Sequence, residues 1–374
     1  STLFPYTTLF RSVLIKQAKL MASNPSERTI CARLMNDRFA LCLPREEFDE
    51  KRVADSVKEL QREFSGNSFH LHTYMGVYEI RDRDEAVSIM VDKANIAADT
   101  IKNNYDCCVA YYDEHLLEIS IEQRRLLGEF EPALQKGEFV MYLQPQVNRD
   151  GAAKGAEALV RWAHPSRGIL TPYAFIDILE NAGLIYKLDL YIWEKAAQKL
   201  AEWKEKGYGS YHISVNISTK DFYIIDIYET FTGLINKYGI AASNLHLEIT
   251  ETTLMTDFEK NMNIIHKLQG VGFRVEIDDF GSGYSSLNML KDISADVLKI
   301  DMGFLRKSEN EVKGQDILES IITLAGKIGM DVITEGVETK KQLDMLTMMG
   351  CHEFQGYYFS KPVPVSEFEE KYLV

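Results

Sequence analysis

Two adjacent carboxylates, Asp278 and Asp279, follow an apolar run and precede a glycine-rich loop within the segment Ile277–Leu287. Two like charges a few ångströms apart oppose each other's ionisation, whereas a divalent cation bound between them attracts both. An acidic pair before Gly and Ser is also ordinary in strand-to-loop connections and helix caps. The segment alone supports both interpretations, so the choice depends on what other strands contribute.

Polar side chains interrupt other β-branched runs, as Asn216 does in Ser214–Ser218 and Glu248 does in Leu247–Glu251. Burying a polar group in such a strand costs a few kcal/mol unless it finds a partner, and each one alone is explained by a structural hydrogen bond. Taken together, five such residues favour a hard-cation site, because all donate oxygen and none is Cys or His. They predict Mg²⁺ or Mn²⁺ rather than Zn²⁺. The five are Glu157, Asn216, Glu248, Asp278 and Asp279.

From Phe139 onward, short β-rich runs alternate with longer helical patterns, which is typical of βα units around a parallel sheet. Eight such runs within this part of the chain predict an α/β fold, a (β/α)₈ barrel of the TIM type. The runs are Phe139–Val147, Gly155–Trp162, Tyr211–Ile217, Asn244–Ile249, Phe273–Asp278, Asp296–Ile300, Asp331–Thr334 and His352–Gln355. The helical stretches are Tyr186–Lys206, Phe222–Tyr238, Phe258–Leu268, Ile317–Ile328 and Thr339–Met349. In the first of these helices, Leu188, Ile192, Ala196 and Leu200 recur at helical spacing.

Catalytic groups of such barrels lie where the strands end, at the carboxyl-terminal face. Most of the β-rich runs place a carboxylate where it is expected to lie at or near that face. The candidate residues, in chain order, are Gln144; Glu157 with Arg161; Asn216; Glu248 with Glu251; Asp278 with Asp279; Lys299 with Asp301; Glu335 with Glu338; and Gln355.

The order of these motifs resembles the EAL family of cyclic di-GMP phosphodiesterases. Glu157-Ala158-Leu159 is the motif that names the family, and Asp278-Asp279-Phe280-Gly281 and Glu335-Gly336-Val337-Glu338 follow at the family's spacing. The likeness begins near Leu126 and continues to the end of the chain. It implies hydrolysis of one phosphodiester bond of cyclic di-GMP to linear pGpG, with two Mg²⁺ or Mn²⁺ ions.

The resemblance also implies roles for individual residues. Glu157, Asn216, Glu248 and Asp278 would hold one ion, with Asp278 bridging to a second held by Asp279 and Glu335. Lys299, Glu335 and Glu157 would be the catalytic residues, with Lys299 beside the attacking water. Substrate contacts would come from Gln144, Leu159, Arg161, Asp189, Asp301 and Gln355. Glu251 would anchor the loop Asp279–Ser286, and Glu338 would support the site.

Two of these roles have plainer alternatives. Lys299 is also explained by a stem packed on the barrel with its head in solvent. Arg161 is expected to contact phosphate, the alternative being a salt bridge at the rim.

Residues 13–115 resemble a truncated, degenerate GGDEF diguanylate-cyclase domain, with Met35–Phe39 at the signature. Met in place of Gly at a tight turn blocks close approach of a nucleotide, so cyclase activity is not expected. Residues 1–12 look like a translated sequencing adapter and are set aside as non-native, in which case the first strand and helix of the domain are missing. Residues 116–125 are predicted to form a helical connector, and residues 126–374 the EAL domain.

The composition predicts a cytoplasmic protein without a membrane segment, although a longer parent could be tethered upstream. Five cysteines lack ligand spacing, and the net charge of −14 argues against binding to long nucleic acids. The expected partners are cyclic di-GMP and a second copy paired through the EAL domain. Two alternatives remain: a receptor that binds cyclic di-GMP without cutting it, and a scaffold whose first domain regulates the second by binding GTP.

Overall fold

The computed structural model describes residues 4–22, 26–35, 37–64, 71–102, 107–280, 293–301 and 311–373. The chain divides into two compact units, residues 1–125 and 126–374. No helix among the described residues is long and apolar enough to cross a bilayer.

The amino-terminal unit contains two small sheets and several helices. Its elements are α1 (Phe4–Ala22), β1 (Ile30–Met35), β2 (Arg38–Cys42), α2 (Glu50–Phe64), β3 (Met75–Val77), α3 (Val87–Asp99), β4 (Val109–Tyr111) and the start of α4 (Glu114–Lys136). Strands β1 and β2 pair antiparallel, and β3 and β4 pair parallel. A Cβ on Gly76 would lie 1.8 Å from the Ala94 carbonyl oxygen, so glycine lets α3 pack directly on β3. The predicted connector, residues 116–125, lies within α4; the kinship of this unit to GGDEF domains stays a prediction.

The carboxyl-terminal unit is a barrel surrounded by helices. Its strands are β5 (Phe139–Asn148), β6 (Ala153–His164), β7 (Gly168–Leu170), β8 (His212–Ile217), β9 (Leu245–Thr250), β10 (Val275–Phe280), β11 (Val297–Asp301), β12 (Asp331–Glu335), β13 (Glu353–Phe354) and β14 (Val363–Pro364). Its helices are α5 (Ile176–Ala182), α6 (Ile185–Glu205), α7 (Asp221–Ile224), α8 (Ile227–Tyr238), α9 (Glu251–Thr256), α10 (Phe258–Val271), α11 (Glu311–Lys327), α12 (Lys340–Met348) and α13 (Val365–Tyr372). The periodic residues Leu188, Ile192, Ala196 and Leu200 are all buried on α6.

Eight of these strands close into a ring in the order β5, β6, β8, β9, β10, β11, β12, β13 and back to β5. The predicted (β/α)₈ barrel is confirmed, but its sheet is not parallel throughout, because β5 runs antiparallel to both of its neighbours in the ring. Asn148 closes a tight turn into β6, where its backbone N–H donates to the Ala152 carbonyl at 3.0 Å, and so short a connection allows only an antiparallel pair. Gln144 therefore lies in the middle of a strand, opposite Glu157, rather than at a strand end.

The single helix predicted over Phe222–Tyr238 is two helices, α7 and α8. The break falls at Asp226, whose side chain accepts a hydrogen bond from the backbone N–H of Glu229 at 3.0 Å and so caps a new helix. Helical periodicity alone does not reveal such a break, because the apolar residues continue on both sides.

Replacing Asp226 with Ala should lower the stability of the barrel by about 1 kcal/mol, since the cap of α8 is lost. The measurement is the urea midpoint followed by tryptophan fluorescence. Asp226→Asn keeps a capping oxygen and should unfold close to the parent; equal losses in both variants would contradict the capping argument.

Candidate active site

Neighbouring parallel strands bring the predicted oxygen donors to one rim. Asn216 on β8 lies in register with Glu248 on β9, and Asp301 on β11 lies in register with Glu335 on β12. Parallel strands end at the same edge, so side chains at matching registers converge. The rim therefore collects polar groups from strands far apart in sequence.

Lys299 lies at the centre of this group and is fully buried. Its Nζ is 2.7 Å from Glu335 Oε1 and 2.8 Å from Glu248 Oε1, and it is 3.4 Å from Glu157 Oε2 and 3.5 Å from Asp278 Oδ1. The alternative of a lysine head in solvent is thus wrong. Four of the six predicted ligands surround one ammonium group.

The electrostatics of this cluster follow from one positive charge among four carboxylates. The four acids raise the pKa of Lys299 well above its ordinary value, although burial acts in the opposite direction. Burial, followed by repulsion from Asp278 and Glu157, raises the pKa of Glu335 to about 8. Burial and the charge of Glu157 likewise raise the pKa of Glu248. More negative charge converges here than Lys299 can neutralise.

The donor set fits a hard divalent cation. Neither carboxylate oxygen of Glu248 makes a hydrogen bond of good geometry, although the residue is buried and lies beside Lys299. A buried carboxylate without hydrogen bonds is costly unless a cation lies beside it. Oxygen donors from Asp, Glu and Asn are the ligands that Mg²⁺ and Mn²⁺ prefer.

A bulge in β10 directs both adjacent acids to the rim. Ile277 pairs with Leu298 and Phe280 with Ile300, so β10 carries one extra residue across this interval. Asp279 accommodates the extra residue by adopting a φ of +55°. Its backbone N–H donates to Asp278 Oδ1 at 2.9 Å. Side chains alternate across a regular strand, so adjacent acids would otherwise point apart.

Glu251, predicted to anchor the loop after β10, is the first residue of α9. Most of that loop, residues 281–292, lies outside the described residues. The anchoring role stays a prediction.

Gln355 and Asn216 orient Glu157, and Gln144 accepts a hydrogen bond from Gln355. Gln355 Nε2 donates to Glu157 Oε2 at 2.5 Å and lies 3.3 Å from Gln144 Oε1. Asn216 Nδ2 donates to Glu157 Oε1 at 3.1 Å. Gln144 also donates to the Ser360 carbonyl at 3.3 Å, which ties the hairpin to the segment after β13. Both Gln144 and Gln355 are buried, so in this structure they support Glu157 from inside the barrel.

Arg161 and Leu159 lie on β6 beyond Glu157. The Arg161 guanidinium is 5.5 Å from the centroid of the Tyr142 ring and donates to the Val160 carbonyl at 2.8 Å. Leu159 is in register with Tyr142. Burial lowers the pKa of Arg161, which remains charged at neutral pH.

Asp189 on α6 lies against a second carboxylate, Asp221, which the sequence reasoning missed. Burial, together with the negative charge of Asp221, raises the pKa of Asp189. Asp221 is fully buried, and its Oδ2 accepts from the Ser218 N–H at 2.8 Å. The spacing Ser218 to Asp221, at the start of a helix, was the available signal.

The remaining predicted residues flank the rim. Asp301 ends β11 in register with Glu335. The Glu338 N–H donates to Gln342 Oε1 at 2.9 Å at the start of α12, where Thr339 and Gln342 form a capping box.

Residues 128–362 match the family model described as EAL domain, which is more than half of the chain. The chain belongs to the EAL domain family.

Relatives of known name agree with this assignment. The bifunctional diguanylate cyclase/cyclic di-GMP phosphodiesterase MucR of Pseudomonas aeruginosa is 30% identical over 365 residues, which is 95% of this chain and 53% of MucR. The cyclic di-GMP phosphodiesterase PdeR of Escherichia coli is 32% identical over 240 residues, covering 64% of this chain and 36% of PdeR. This chain spans about half the length of MucR and about a third of PdeR.

Solved structures give the same fold. The structure described as PaMucR phosphodiesterase in complex with c-di-GMP superposes with a TM-score of 0.62 at 33% identity, over 65% of this chain and 99% of that one. The cGMP-bound form of the EAL enzyme Bd1971 gives a TM-score of 0.61 at 31% identity, over 68% of this chain and 70% of that one.

Proposed function

We propose that this chain is a phosphodiesterase that hydrolyses cyclic di-GMP to linear pGpG, with two Mg²⁺ or Mn²⁺ ions per site, and so ends a bacterial second-messenger signal. The observation that carries the proposal is the ring of four carboxylates around the buried Lys299 at the carboxyl-terminal rim. Membership of the EAL family and the names of MucR and PdeR support the substrate.

In this proposal Glu157, Asn216, Glu248 and Asp278 would hold one ion, and Asp278, Asp279 and Glu335 would hold the other. When bound, the ions supply positive charge to the attacked phosphate and make water a better nucleophile at neutral pH. Water adds its oxygen to phosphorus, the bond to the ribose 3′ oxygen breaks, and that oxygen takes up a proton.

The chain's own side chains orient this reaction. Lys299, fixed by carboxylates on every side, presents its ammonium group to the attacking water or to a phosphate oxygen. Glu157 keeps its direction because Gln355 and Asn216 each donate to one of its oxygens. Arg161, held over Tyr142, extends positive charge toward the second phosphate. Gln144, Leu159, Asp189 and Asp301 complete the proposed substrate contacts.

The direct test is incubation of the purified chain with cyclic di-GMP and Mg²⁺ or Mn²⁺, with products separated by chromatography. The proposal expects pGpG in the presence of metal and none after EDTA. Intact dinucleotide in every metal, with the barrel folded by circular dichroism, would overturn it. Tight binding by calorimetry without cleavage would instead establish the non-hydrolysing receptor.

The chain would act in the cytoplasm on this second messenger, and a second copy would pair with it through the EAL domain. Sedimentation of the purified chain tests the pairing. The unit before residue 126 is proposed as a GGDEF remnant without cyclase activity.

Gln355→Leu should weaken Mg²⁺ affinity by about 10–100-fold, the usual effect of removing a partner that orients a metal ligand. The measurement is a Mg²⁺ titration by calorimetry. Gln198→Leu is the matched control, since Gln198 likewise donates through its side-chain amide, to Tyr238 Oη at 2.9 Å, but between α6 and α8. Unchanged affinity in Gln355→Leu would contradict the orienting role.

Mg²⁺ affinity should rise steeply between pH 6 and pH 8. The pKa of Glu335 is raised to about 8, so below that pH the metal must displace a proton from this ligand, whereas an ordinary glutamate would already be ionised. One displaced proton makes the apparent affinity up to about tenfold stronger for each pH unit gained. Calorimetry in buffers of different ionisation enthalpy counts the released proton. A flat affinity across this range would show that Glu335 is not protonated before the metal binds.

A further inference from the structure

Three side chains of types that bind metals lie near the starts of neighbouring strands, at the end of the barrel opposite the active site. His212, His246 and Glu276 lie on β8, β9 and β10, and one ligand atom from each lies within 4.8 Å of the others. His246 and Glu276 precede Glu248 and Asp278 by two residues, so alternation points both side chains into the barrel. They form a layer beneath the proposed catalytic ligands.

This layer is polar where the interior of such barrels is usually filled with branched apolar side chains. Glu276 is 0% exposed. Its Oε1 is 2.6 Å from His246 Nδ1 and accepts from Ser214 Oγ at 3.1 Å, whereas its Oε2 has no hydrogen-bond partner. A buried carboxylate oxygen without a partner is costly, and a cation beside it would offset that cost.

The outer nitrogens of both imidazoles are already engaged. His246 Nε2 lies 3.2 Å from the Ser243 carbonyl oxygen, and His212 Nε2 lies 2.7 Å from Gln146 Oε1. Both of those oxygens accept, so each Nε2 carries a proton and Nδ1 is the nitrogen left to bind metal. At His246, the ion would take the place of the proton that Nδ1 now shares with Glu276 Oε1 at 2.6 Å. A second ring nitrogen held by a carbonyl oxygen, as in His246, is the usual support of a metal-bound histidine.

A cavity of about 570 Å³ opens at this mouth and is lined by all three side chains, together with Arg274 and Asp331. Gly155 makes room for the His212 ring, since a Cβ there would lie 2.4 Å from it. The two rings are stacked 3.9 Å apart at 4°. A metal lies in the plane of each imidazole it binds, so His212, which borders the cavity, must turn about its Cβ–Cγ bond and give up its present hydrogen bond to Gln146 when an ion binds.

We propose that His212, His246 and Glu276 form a second metal site, for a borderline-soft divalent ion of the Zn²⁺ class. Two imidazole nitrogens and one carboxylate oxygen, with water in the fourth position, are a set that Zn²⁺ favours and that Mg²⁺ does not. A site at the amino-terminal face of a barrel serves stability rather than catalysis. The inference does not depend on the proposed activity.

The test uses Co²⁺ as a spectroscopic probe of the full chain in saturating Mg²⁺, which occupies the oxygen ligands of the rim. Four-coordinate Co²⁺ with imidazole ligands absorbs far more strongly in the visible than six-coordinate Co²⁺ among oxygens. We expect strong bands that saturate at about one equivalent and disappear in His212→Gln and in His246→Gln. His266→Gln, on the exposed face of α10, should keep them.

Failure of the wild-type chain to develop these bands would overturn the proposal, as would bands that persist in both variants. If a variant does not fold by circular dichroism, X-ray absorption of the Zn²⁺-loaded wild-type chain in Mg²⁺ replaces it. Two imidazole ligands per zinc support the site, and an all-oxygen shell refutes it.

Discussion

Asp278→Asn should lower the rate of cyclic di-GMP hydrolysis by about a thousandfold, equivalent to about 4 kcal/mol of transition-state stabilisation. Asp278 is the proposed bridge between the two ions, and it also lies 3.5 Å from Lys299 Nζ. An amide is nearly the same shape but offers one neutral oxygen, so it cannot balance two divalent charges. The loss should appear in kcat, with a weaker response to Mg²⁺.

The matched control is Asp344→Asn, the same substitution on the partly exposed face of α12, where the carboxylate lies 3.9 Å from Arg149. Exposed pairs of this kind contribute little, so this variant should hydrolyse the substrate at the parental rate. Product formation is followed by chromatography at several Mg²⁺ concentrations. An Asp278→Asn variant as active as the parent would remove the basis for the two-ion assignment.

Lys299→Met should abolish most activity and also change how metal affects stability. In the metal-free protein the buried Lys299 lies among four carboxylates that are buried or half-buried, so removing it leaves uncompensated charge and costs about 3–5 kcal/mol. Bound divalent ions replace that charge. Mg²⁺ should therefore raise the melting temperature of Lys299→Met more than that of the parent.

The measurement is thermal unfolding in EDTA and in Mg²⁺ for both proteins. Lys341→Met, at an exposed position on α12, controls for loss of a lysine and should leave both curves unchanged. Equal stabilisation of Lys299→Met and the parent by Mg²⁺ would mean that the lysine and the metal do not share the same carboxylates.

The sequence by itself determined the class of fold and most of the rim. Alternating β-rich and helical runs fixed the number of barrel strands, because burial of one face imposes a period of two on strands and of 3.6 on helices. Polar residues inside apolar runs marked Asn216, Glu248 and Asp278, since such residues must find partners. These patterns involve residues close together in the chain, so a single sequence is enough to detect them.

The tertiary structure decided the features that depend on the direction of a strand and on contacts between residues distant in sequence. The antiparallel start of the barrel, set by the turn after Asn148, moved Gln144 from a strand end to a position opposite Glu157. Periodicity cannot reveal this, because alternation of side chains is the same in parallel and antiparallel strands.

The central place of Lys299 was likewise invisible in its own strand, since lysine on a β-strand is usually solvated through its long stem. Its position results from four carboxylates that come from four other strands. The sequence did not reveal the polar layer of His212, His246 and Glu276 for the same reason. Each of these residues is about thirty positions from the next, and only the pairing of their strands in the barrel brings them together. Opposite charges and metal-ligand atoms interact through space. The distances between them are set only when the strands pair in register, so the order of residues along the chain does not reveal these contacts.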